Sequence, residues 1–232
     1  MTRHHILVDA CVAAAYFAPA TTRSPKLVSR AATLFRGSST SFEHRLLIPT
    51  FCIAETFSVL EKYRWGASWN PHLASGLRLT PKKFAAARGA LRIALHNGAQ
   101  LLQVDLNRYH ILAVDLIAPV NHAYKIQRNR TKKKNVNPAS TYDMLIVAMG
   151  IWLQHQIGSD AFTIVTGERR LTHVVARAKS LKLAKPIRTH LTTVAQDLGL
   201  SYSPTLYPTV INLTAAKSSA LAARFPSWSL PW

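Results

Sequence analysis

Apolar residues run along the chain in two alternating rhythms. Short, nearly continuous apolar runs predict buried strands at 6–8, 46–48, 101–106 and 162–165, with a weaker fifth at 186–189. Between them lie longer stretches with helical spacing: 11–18, 26–35, 49 to about 63, 109–126, 142–156 and 169–179. Strands that alternate with helices predict a parallel sheet with helices on both faces. The fold class is therefore α/β, a three-layer α/β/α arrangement around a central, mostly parallel sheet of four to five strands.

The same rhythm groups residues 1–198 into one domain. Two segments look like additions to it. Residues 65–100 contain no Asp or Glu but carry Trp65, Trp69 and several cations, and read as helices over the sheet edge. Residues 128–140 are a basic, Asn-rich loop of unusual length for a compact domain. Residues 199–232 form a C-terminal extension rich in Ser, Pro and aromatics, where periodicity fades. Its last stretch, 225–232, is expected to dock through its aromatics on the body or on a partner.

Charge changes the picture more than hydropathy does. The chain has 232 residues with 29 Lys+Arg against 10 Asp+Glu, a formal net charge of +19. At 48% hydrophobic residues it can build a core, which excludes wholesale disorder. So large a cationic excess points to a polyanionic partner, since phosphates relieve the self-repulsion. Cys11 and Cys52 stand in apolar segments without C-x-x-C spacing and read as small buried hydrophobes in a reducing compartment. The first residues lack the pattern of a secretory signal, and no uncharged apolar run reaches the roughly 20 residues of a membrane span. The expectation is a cytoplasmic protein without membrane contact. His4, His5, His110, His122, His155, His173 and His190 show no ligand spacing and read as ordinary, partly exposed residues.

With acids so scarce, their positions matter. Asp9 ends the first strand, Glu55 lies in the helix after the second, Asp143 opens the helix after the basic loop, and Glu168 follows the fourth strand. In a parallel α/β sheet, strand C-termini and the following helix N-termini share the edge where ligands bind. Each acid also has a plain structural reading. Asp9 would cap the next helix, Ser140 and Asp143 match a capping box, Glu168 would sit favourably in a first helical turn, and Glu55 would be an exposed helix residue. Four carboxylates on one edge repel, and a divalent cation is the usual reason to tolerate that.

This arrangement resembles the PIN-domain family of nucleases. Ile6 to Ala10 looks like that family's opening strand and first acid, and Ile48 to Glu55 like its second-acid helix. Tyr142 to Met149 is similar to its third-acid helix, and Ile164 to Leu171 to its fourth motif. The resemblance covers roughly residues 5–190. One position departs: the family usually has Asp where Glu168 stands. The resemblance implies a PIN-like fold and an Mg²⁺- or Mn²⁺-dependent endoribonuclease that hydrolyses RNA phosphodiesters. It implies Asp9 and Asp143 as direct metal ligands, Glu55 as a ligand or water-orienting base, and Glu168 as a second-metal ligand or outer-shell group. Thr166 either orients a carboxylate or contacts phosphate, or simply caps a helix. Arg128, Arg130, Lys132, Lys133, Lys134, Arg169 and Arg170 are the cations expected on RNA phosphates. A toxin of a toxin–antitoxin pair, with a small antitoxin partner, is one form of this reading, and a homodimer is a further expectation from the resemblance.

The alternative is a noncatalytic RNA-binding scaffold on a PIN-like body, which the Glu168 departure favours. A haloacid-dehalogenase type of phosphatase wants a second Asp two positions after the first, and Cys11 stands there. No base-readout signature is present: no RNP-like aromatic motif, Cys/His finger or repeat code.

Overall fold

The structure, a computed structural model, describes residues 3–22, 24–40, 43–66, 79–96, 100–130, 138–158, 160–180 and 183–225. In chain order the elements are β1 (His4–Val8), α1 (Ala10–Phe17), α2 (Pro25–Thr40), β2 (His44–Pro49), α3 (Thr50–Trp65), α4 (Pro81–His96) and β3 (Leu101–Val104). There follow α5 (Arg108–Leu112), α6 (Ala118–Arg130), α7 (Thr141–Ile157), β4 (Phe162–Thr166), α8 (Arg169–Lys179), α9 (Lys185–Asp197), β5 (Thr209–Asn212) and α10 (Ser218–Arg224). The five strands form one parallel sheet in the order β3-β2-β1-β4-β5, flanked by helices in a three-layer α/β/α fold. Among the described residues, no helix is long and apolar enough to cross a membrane.

The chain divides into two compact units. The first comprises 1–105, 165–167 and 212–232; the second comprises 106–164 and 168–211.

In the first unit, β1 pairs in parallel with β2 (His4 opposite His44, Leu7 opposite Leu47), and β2 with β3 (Leu46 opposite Leu101). Ile6, Leu7 and Val8 have no exposed surface, as a central parallel strand covered on both faces requires. The alanines of α1 (Ala10, Ala13, Ala14 and Ala15) are buried, and their small side chains let the helix sit close to its neighbours. The C-terminal segment is anchored by a buried cation. Arg30, 4% exposed, donates to the carbonyls of Leu213 (2.7 Å) and Ala216 (2.8 Å) and to Ser218 Oγ (3.3 Å). Phe225, the first residue of the aromatic tail, is fully buried with its ring edge-on to His4 and His44. The rest of that tail, 226–232, lies outside the described residues, as does Trp69. Of the segment 65–100, residues 81–96 form the expected helix, α4.

In the second unit, α7 packs so closely that a Cβ on Gly150 would lie 2.6 Å from Ile164 Cδ1 and 3.1 Å from Pro208 Cγ. The helix stops at Gly158, whose φ of 105° suits a residue without a side chain. Two expectations are corrected here. Residues 186–189 are helix, not strand: Pro186 occupies a first-turn position where a missing N–H costs nothing, and Leu191 and Ala195 bury a helical stripe. Its β-branched threonines are tolerated because Thr189, Thr192 and Thr193 return their hydroxyl protons to carbonyls one turn back. The fifth strand is instead 209–212. His110, read as partly exposed, is 2% exposed and closes a reciprocal capping box with Asn107 at the start of α5.

Candidate functional site

Asp9 follows β1 directly, and its backbone N–H donates to the Val165 carbonyl at 3.1 Å, tying it to the end of β4. The residue has the extended backbone of a helix N-cap, yet its side chain makes no capping hydrogen bond. The carboxylate, on a residue only 5% exposed, instead takes two donors on Oδ2: Thr166 Oγ1 at 2.6 Å and Cys11 Sγ at 2.9 Å. The Cys11 sulfur in turn accepts the Gly167 N–H at 3.0 Å. A Cβ at Gly167 would lie 2.8 Å from Leu27 Cδ2 and 3.3 Å from Cys11 Sγ, so any other residue there would have to displace Leu27. The first unit thus assembles Asp9, Cys11, Thr166 and Gly167 into one hydrogen-bonded cluster.

The cluster decides between the carboxylate and helix-cap readings of Thr166. It orients a carboxylate; the N-cap of the following helix, α8, is Glu168. Burial pushes the Cys11 thiol well above its ordinary pKa, reinforced by the charge of Asp9 and the bond donated to it. The thiol therefore keeps its proton and donates it to the carboxylate in a hydrogen bond. Reading Cys11 as a buried hydrophobe missed this; the signal was its position two residues after an acid at a strand end. Glu55 lies in α3 on the exposed side of the helix.

The second unit holds the other two acids. Asp143 is 7% exposed, and the capping box with Ser140 is present in both directions. Ser140 N–H donates to Asp143 Oδ2 at 2.7 Å, and Asp143 N–H to Ser140 Oγ at 3.1 Å. The structural reading of this acid is thus realised, and it also orients the carboxylate. Glu168 makes no capping bond. Its Oε2 lies 3.4 Å from an Arg170 guanidinium nitrogen, and Arg170 Nε lies 4.0 Å from Asp143 Oδ2. Arg170 therefore stands beside both acids as a counter-ion. Arg169 is exposed on α8. Arg128 and Arg130 end α6, but their side chains, and all of Lys132, Lys133 and Lys134, lie outside the described residues.

The donor chemistry suits a hard divalent cation, which takes oxygen ligands. An all-protein cage is another matter: among the described residues, no group of three or more His, Cys, Asp or Glu side chains is placed to hold a metal ion. Mg²⁺ does not demand one, since one or two carboxylates completed by water and substrate phosphate are its usual protein shell. Within the second unit a positive charge already faces the acids, in the form of Arg170.

Comparison with known proteins adds no family or relative: no family model matches the chain, and no curated protein matches its sequence.

Proposed function

We propose that the chain is a metal-dependent endoribonuclease acting on RNA phosphodiester bonds. The observation that supports this best is the treatment of Asp9. A buried carboxylate at the end of a central parallel strand, which declines to cap its own helix and is aimed by Thr166 and Cys11, is preorganised for a ligand. The net charge of +19 supports an anionic polymer as the substrate.

The family resemblance assigns Asp9, in the first unit, and Asp143, in the second, to Mg²⁺ or Mn²⁺, and a bound metal would supply an activated water and neutralise phosphoryl charge. The chain's own groups do the positioning. Thr166 and Cys11 hold one oxygen of Asp9, the Ser140 N–H holds one oxygen of Asp143, and exposed Arg169 is available to backbone phosphate. Glu55 and Glu168 keep the supporting roles that the family resemblance suggests.

The second reading, a noncatalytic RNA-binding scaffold, draws on one observation: the Arg170 guanidinium lies beside both Asp143 and Glu168, where it competes with a metal for them. One experiment separates the two. Single-stranded RNA incubated with purified protein and Mn²⁺ should be cut, with cleavage lost on chelation and in Asp9→Asn. RNA that is bound but left intact in both Mg²⁺ and Mn²⁺ would sink the nuclease reading and leave the scaffold.

A further inference from the structure

Within the first unit, α3, α4 and β3 line an open cleft of about 810 Å³ whose lining includes none of Asp9, Glu55, Asp143 and Glu168. This volume suits a ligand larger than an ion. Its apolar lining comes from Phe57, Ile93 and Leu95, and Ile93 is 62% exposed, so the apolar surface of the cleft continues onto the outside of α4. Arg88, Arg92 and His96 line the same cleft from α4. Their spacing of four residues sets all three on one helical face.

The remaining polar groups are already engaged. Among the described residues Glu61 is the one acid in the lining, and its Oε2 accepts the Trp65 indole N–H at 2.9 Å. Gln103 donates to Asp105 Oδ1 at 2.8 Å. The Arg88 guanidinium lies 5.3 Å from the Phe84 ring centre, which restrains it before any ligand arrives. Beside Glu61, Trp65 is 49% exposed, with the Arg64 guanidinium 4.1 Å from its ring centre. From residue 62 to residue 104 the sequence contains no acid. The occupant that fits is anionic, with flat apolar parts.

We propose that this cleft binds single-stranded RNA, taking a base onto the Phe57–Ile93 surface and the flanking phosphates onto Arg88 and Arg92. Stacking surfaces combined with a cationic groove are how sequence-tolerant single-strand sites work. An acidic peptide would satisfy the arginines but would leave the aromatic and aliphatic surface without flat rings to cover it. The identity of the ligand rests on the nucleic-acid reading above; the site itself does not depend on cleavage.

The test is fluorescence anisotropy with a labelled oligouridylate, in EDTA so that no metal-dependent step contributes. Arg88→Gln/Arg92→Gln is compared with Lys82→Gln/Lys83→Gln. Both pairs remove two positive charges from α4, and Lys82 and Lys83 are exposed and outside the cleft lining. The arginine pair should weaken binding about tenfold or more, and the lysine pair about twofold. Ile93→Glu, at an exposed position that leaves folding intact, should also weaken it about tenfold. Equal losses in the two charge pairs, or unchanged binding in the Ile93 variant, would overturn the proposal. Equal affinity for duplex RNA would overturn the base-stacking component, and polyglutamate that displaces the oligonucleotide at lower concentration would assign the cleft to an acidic protein. Because cleavage is not read, an inactive nuclease with intact cleft binding refutes only the activity, and an active nuclease with unaffected variants refutes only the cleft.

Discussion

Cys11→Ser isolates the thiol that bridges Asp9 and Gly167. In the folded protein, burial and the adjacent carboxylate hold the proton on Cys11 well above its ordinary pKa of 9.0. In the unfolded chain nothing does. As pH rises through 9.0 the unfolded state releases this proton and the folded state keeps it, so the unfolded state binds fewer protons and stability falls. Between pH 8 and pH 10 this one group lowers the unfolding free energy by about 1.4 kcal/mol. A serine hydroxyl does not titrate in that range, so the variant lacks this component. The assay is urea unfolding of both proteins across the interval, read as the difference between them. Tyrosines that titrate in the unfolded chain, such as buried Tyr207, whose phenol is also pushed up by burial, contribute equally to both and cancel. Wild type should lose its margin over Cys11→Ser, or fall further below it, by about 1.4 kcal/mol across the range. Parallel curves would mean that the thiol ionises equally in both states, which refutes the enclosed Asp9–Cys11 contact.

Other outcomes follow from single buried contacts. Arg30→Met keeps the aliphatic stem but leaves the Leu213 and Ala216 carbonyls without their charged donor. It should cost about 3 kcal/mol in urea unfolding and speed amide exchange at Leu213 and Phe225, whereas a change within about 0.5 kcal/mol would refute the anchoring role. Thr166→Val preserves shape and removes the 2.6 Å bond to Asp9. It should cost about 2 kcal/mol and reduce Mn²⁺-dependent cleavage, while Thr166→Ser retains both; a valine variant as stable as wild type would contradict the orienting role.

Local features were legible in the sequence because local rules produce them. The capping box of Ser140 and Asp143 spans one helical turn and can be read from spacing alone. So can the strand at 46–48, whose continuous apolar run admits only a buried position. Residues 186–189 misled because β-branched content suggested a strand, while the longer stripe through Leu191 and Ala195 carried the burial that decided for helix. Strand 209–212 offered no comparable rhythm: three of its four residues are half-buried. It is a strand because of its place beside β4 in the sheet, a property of pairing that no window of residues contains.

For the candidate site the division is sharper. The sequence by itself determined which carboxylates end strands or open helices, and that the chain carries far more positive charge than a core needs. Tertiary structure alone decided the distant partners of this cluster. Thr166 reaches Asp9 across 157 positions, Gly167 reaches Cys11 across 156, and Arg30 reaches Leu213 across 183. The first two pairs meet because the parallel sheet places the ends of β1 and β4 side by side, and the third joins α2 to the segment after β5; only the folded topology creates either adjacency.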